Sequence, residues 1–110
     1  MSKRPPYKEI KEFLKQVRNI DRKDARLIPR KKNMDYLAEL GIRLHDAIDE
    51  VYDLKCEDYV DGPKPNENIK YSEGDVWMFK KQIEGHNTYI KISITHCNEE
   101  LAILSFHADE

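Results

Sequence analysis

Between Asp75 and His107 the chain carries three runs, DVWMFKKQI, YIKISITH and LAILSFH, separated by the polar pieces EGHNT and CNEE. In the middle run Ile90, Ile92 and Ile94 alternate with Tyr89, Lys91, Ser93 and Thr95. Alternation with a period of two marks a strand with one buried and one wet face. Three such runs joined by short turns predict an antiparallel sheet, with Gly85 and Asn87 supplying the backbone freedom of the first turn.

The upstream pattern is helical. Ile10, Phe13, Leu14, Val17 and Ile20 form one narrow apolar stripe after Pro5 and Pro6, which suit a helix start. Lys8, Lys11, Lys15 and Arg18 occupy the other faces. Ala25 to Ile28 reads as a short extended piece, and Pro29 argues against helix there. Asn33 is expected as the N-cap of a short helix, Met34 to Leu40, closed by Gly41. A further helix, Leu44 to Leu54, sets Leu44, Ala47, Ile48, Val51 and Leu54 against an acidic face of Asp46, Asp49, Glu50 and Asp53, read as solvated. Gly62, Pro63, Pro65 and Asn66 mark residues 55–70 as a connection. The reading is one α+β domain over residues 1–110. Its helical part spans about 1–54, its connecting loop about 55–70 and its antiparallel sheet of three or more strands about 71–107.

Composition changes this picture in one respect. Residues 1–32 hold twelve Lys/Arg against four acids, a balance of +8; residues 33–110 hold seven against seventeen, a balance of −10. Such asymmetry fits a segment that meets a polyanion or an acidic partner, and equally a solvated basic helix. No apolar run approaches the ~18 residues needed to cross a bilayer, and MSKRPPYKE lacks the apolar stretch of a secretory signal. Cys56 and Cys97 are isolated, so neither a disulfide framework nor a zinc site is expected. The expected location is the cytoplasm.

The wet face of the middle strand is the first place to look for chemistry. Tyr89 and Lys91 project together, and neighbouring strands bring Lys80 or Gln82 on one side and Ser105 or His107 on the other. His96 ends the same strand. Tyr, Lys and His around one face can cleave RNA without a metal: the ribose 2′-OH attacks its own phosphate, His or Tyr moves protons and Lys stabilises the added charge. On spacing alone the signal is weak, since Tyr and Lys are ordinary on an exposed strand face, and a solvated face is the better account of them. His86 reads as a surface turn residue and His45 as structural or exposed. Trp77 reads as core rather than as a base-stacking platform. The chain has no P-loop, no G-x-G-x-x-G, no H-E-x-x-H and no nucleophile elbow.

The motifs K-R-x-P, E-L-G-I (Glu39 to Ile42), E-D-Y (Glu57 to Tyr59), V-W (Val76, Trp77), Y-I-K-I-S-I (Tyr89 to Ile94) with His96, and I-L-S-F (Ile103 to Phe106) resemble the MqsR family of bacterial toxins. The resemblance implies a RelE-like α+β fold and a metal-independent mRNA endonuclease without cofactor. It also implies inhibition by a cognate antitoxin of zinc-finger and helix-turn-helix type. Carried over by position, the family's tyrosine falls on Tyr89, its lysine on Lys91, a histidine on His96 and a basic residue on His107. Two positions depart from the family pattern: Val60 or Asp61 stands where another lysine belongs, and Met78 replaces a glutamine. Lys80, Lys81 and Gln82 are the candidates to replace those RNA contacts. The alternative is a non-catalytic module that binds a protein or RNA through the basic helix and the sheet.

Overall fold

A computed structural model describes residues 5–67, 74–95 and 99–109. Helices α1 (Tyr7–Asn19), α2 (Lys31–Leu40) and α3 (Leu44–Tyr52) pack on a five-stranded sheet. Its strands are β1 (Ala25–Leu27), β2 (Tyr59–Lys64), β3 (Val76–Ile83), β4 (His86–Ile94) and β5 (Leu101–Ala108). Spatial order is β1-β5-β4-β3-β2. The fold is α+β, as expected. The sheet is mixed rather than purely antiparallel, because β1 runs parallel to β5 while the remaining pairs are antiparallel.

All three helices lie on one face. Ile10, Phe13, Leu14 and Val17 of α1, Tyr36 and Leu37 of α2, and Ala47 and Val51 of α3 share one buried cluster with Trp77, Phe79, Ile90, Ile92 and Phe106. Within it Phe13 stacks on Trp77 with ring centroids 4.2 Å apart. Trp77 is therefore core. Arg18 leaves the basic stripe of α1 to donate to the Tyr52 and Leu54 carbonyls at 3.3 and 2.7 Å, satisfying acceptors that the end of α3 leaves open.

Three local expectations change. Asn33 is not an N-cap, since α2 begins two residues earlier with Arg30 at the cap position. Its fully buried amide instead donates to Ile28 O (2.9 Å) and Leu104 O (3.1 Å) and accepts from Phe106 N (3.1 Å). The β3–β4 turn uses Glu84 (φ 52°) and Gly85 (φ 77°), while Asn87 pairs with Gln82 inside the ladder. Positive φ at both central positions is the signature of a type I′ two-residue hairpin loop, which is why Glu84 adopts it beside Gly85.

The third change concerns residues 55–70, where the connection contains edge strand β2. It pairs with β3 at Tyr59↔Phe79, Asp61↔Met78 and Lys64↔Val76, with irregular register between these pairs. Gly62 permits rather than breaks the strand. Its φ is +102°, and a Cβ there would lie 2.5 Å from the Val76 carbonyl oxygen, so only glycine lets the bulged strand close onto its neighbour. The Tyr59 hydroxyl donates to the Gly62 carbonyl, and the Gly62 amide donates to Asp61 Oδ1 at 2.8 Å.

Candidate functional site

The sheet face away from the helices carries two cross-strand rows. One is Lys80–Tyr89–His107 over β3, β4 and β5. The next is Asp61–Met78–Lys91–Ser105 over β2 to β5. Directly opposed side chains lie ~5 Å apart, and the rows are separated by roughly 7 Å along each strand. An irregularity between Lys91 and Ile92 (Lys91↔Ser105 but Ile92↔Ile103) holds both Lys91 and Tyr89 on this face beside the polar end of β5. Lower down, Val76, Met78, Ala102, Leu104 and Ile28 form a second buried cluster to which, among the described residues, no helix contributes; Tyr89 packs against it.

Tyr89 is half-buried, and its ring lies 5.4 Å from that of His107 at a 32° tilt. Burial raises its phenol above the ordinary value of 10.0; the Asp61 carboxylate adds to the rise and the Lys64 ammonium opposes it. A phenol is protonated at neutral pH with or without that rise, so the hydroxyl has a proton to give, and burial makes it the weaker acid. His107 Nδ1 is 3.0 Å from the Ala108 carbonyl oxygen. A carbonyl only accepts, so that nitrogen carries the hydrogen, and in the neutral ring Nε2 is then the acceptor.

The lysines differ in their engagements. Lys80 Nζ lies 3.3 Å from Asp109 at the rim, and Lys64 pairs with Asp61 at 2.5 Å. That hydrogen bond raises the Lys64 ammonium and, with the Gly62 amide, lowers the Asp61 carboxyl. Lys91 is half-buried and has no hydrogen-bond or ion-pair partner among the described residues.

Of the residues singled out from sequence, Tyr89, Lys91, His107 and Lys80 come together. Gln82 shares the face further out and donates to Asn87 Oδ1 at 3.3 Å. Lys81 does not belong. It points to the helix side, 12% exposed, with Nζ 2.9 Å from Glu50 and 3.7 Å from Asp53, so the acidic face of α3 is partly neutralised rather than simply solvated. Asp49 of the same face pairs with Arg22. His96 lies outside the described residues. His45 and His86 are exposed, the former 3.3 Å from Asp46.

Lys64 is the site-facing residue that sequence reasoning missed, along with Asp61 as its partner. Residues 55–70 read as a loop, so nothing in the pattern tied Lys64 to the sheet. The turn-forming Gly-Pro before it masked the signal. Among the described residues no group of three or more His, Cys, Asp or Glu side chains could hold a metal ion, and no described helix is long and apolar enough to cross a membrane. No protein-family model matches the chain, and a search of characterised proteins finds no significant relative.

Proposed function

We propose that this face is the active site of a metal-independent endoribonuclease acting on mRNA, and that the protein is the toxin of a type II toxin–antitoxin pair in the cytoplasm. The observation that carries the reading is Lys91. An ammonium half-buried at the middle of the sheet, without a hydrogen-bond or ion-pair partner among the described residues, has its donors available to an incoming anion. Beside it stand an imidazole able to accept a proton in its neutral form and a phenol hydroxyl with one to give. In this scheme His107 Nε2 takes the proton of the ribose 2′-OH. The 2′-oxygen bonds to phosphorus as the bond to the 5′-oxygen breaks, and the Tyr89 hydroxyl protonates that leaving oxygen. Lys91 offsets the charge gathering on the phosphoryl oxygens, with Lys80 and Lys64 at the margins. The products are a 2′,3′-cyclic phosphate and a 5′-hydroxyl. His96, which lies outside the described residues, is a further candidate for proton transfer on the family resemblance alone. The resemblance to the MqsR family supports the same assignment and adds the cognate antitoxin, of zinc-finger and helix-turn-helix type, as partner.

A second reading, a non-catalytic module binding a protein or RNA, is favoured by one specific observation: Lys80 and Lys64 are already ion-paired, to Asp109 and Asp61. Incubating the purified protein with end-labelled single-stranded RNA in EDTA separates the two. The nuclease reading expects cleavage to cyclic-phosphate ends, slowed about a hundredfold or more in Lys91→Ala, and growth arrest on induced expression. Intact RNA with harmless expression would sink it and leave the binding module.

A further inference from the structure

A groove of about 1120 Å³ runs between α1 and the end of the sheet where β3 starts and β4 finishes. Its lining includes the largely buried Phe13 and Trp77 (6% and 8% exposed) and Ile94, together with Glu9, Glu12, Asp21, Asp24, Asp75 and Glu99. Among the described residues, Lys8 is the one basic residue along it. Among the described residues none of the six carboxylates has an ion-pair partner, and of the six only Asp21 accepts a hydrogen bond, from the Lys23 amide. Several acids elsewhere are ion-paired: Asp49 with Arg22, Glu50 and Asp53 with Lys81, Asp35 with Lys31, Asp61 with Lys64. Six like charges around one concavity repel one another, and a cationic occupant relieves that repulsion.

The chemistry of the occupant follows from the two components together. RNA is excluded, since its phosphates would meet carboxylates. A simple metal ion is not supported, because no three of the described His, Cys, Asp or Glu side chains converge on a point. An aromatic lining among carboxylates fits a chain that offers both an apolar anchor and flanking cations. We propose that this groove binds a basic polypeptide segment, which seats an aliphatic or aromatic side chain against Phe13 and Trp77 and sets Lys or Arg side chains against Glu12 and Asp75. The surface is separate from the Lys91 face and does not depend on any activity there.

The experiment titrates the full chain with a short labelled peptide of alternating Lys/Arg and Leu, reading fluorescence anisotropy and amide chemical shifts. The expected result is saturable binding with shifts at Glu12, Phe13, Asp75 and Trp77. The double variant Glu12→Lys/Asp75→Lys, both positions exposed and outside the core, weakens it about tenfold or more. A peptide with Ser for Leu weakens it similarly. Equal binding by the charge-reversed variant, with its fold verified by circular dichroism, overturns the proposal. So does equally tight binding of spermine, which has charge but no anchor. Sedimentation showing a dimer that excludes the peptide would assign the groove to a second copy of the chain instead, and would also overturn it.

Discussion

Tyr89 and His107 are register partners on adjacent strands, with rings 5.4 Å apart. One carries a phenol hydroxyl that has a proton to give, and the other sets Nδ1 3.0 Å from the Ala108 carbonyl oxygen, which leaves Nε2 as the acceptor in the neutral ring. A proton donor and a proton acceptor thus sit side by side. The first prediction tests them as a pair. Tyr89→Phe keeps the ring packing and removes only the hydroxyl, so RNA cleavage should fall about 10²-fold or more with the urea midpoint unchanged. His107→Ala should fall comparably, and the double variant little further, as expected of groups acting in one step. Additive losses in single-turnover assays would contradict a shared step.

Lys80 and Lys81 are sequence neighbours on opposite faces. Lys81→Met removes the ion pairs to Glu50 and Asp53 and should cost up to ~1 kcal/mol of stability, leaving RNA cleavage untouched. Lys80→Met should do the reverse, lowering cleavage about tenfold while thermal unfolding stays put. Parallel denaturation and cleavage measurements on the two variants check both halves.

Asn33 ties α2 to β5 through three hydrogen bonds, two given and one received. Asn33→Ala leaves a buried N–H and two carbonyls without that partner and should destabilise the fold by about 3 kcal/mol, measured by urea denaturation. A loss below ~1 kcal/mol would mean the bulged end of β5 relaxes to pair elsewhere.

Alkaline pH should unfold the protein early. Burial raises the phenols of Tyr52 and Tyr89 above 10.0. Above pH 10 the unfolded chain therefore loses these protons while the folded chain keeps them. Fewer protons bound in the unfolded state means stability falls as pH rises, until the folded-state phenols ionise too. Below pH 10 the two residues contribute no slope. Urea midpoints measured across that range should decline less in Tyr52→Phe and Tyr89→Phe than in the wild type.

Local periodicity was enough to read the helices, the three long strands and the pairing of Tyr89 with Lys91 on one face. Each depends on side-chain direction repeating along a single segment, which residue order alone determines. The same holds for Trp77 as core and for Gly41, whose φ of 72° closes α2. What residue order could not determine was which segments meet. Ala25–Leu27 reads only as extended until β5 is seen beside it, running parallel. Residues 59–64 read as loop because Gly62 and Pro63 look like breakers, yet the bulge they form fits only against Val76 and Trp77. Register then sorted the lysines: Lys80 opposite Tyr89, Lys81 opposite the buried Thr88 and turned toward Glu50, Lys64 carried in from the edge. The wet face of YIKISITH was legible as a place. Its neighbours, and the isolation of Lys91 among them, are long-range contacts that only the folded chain decides.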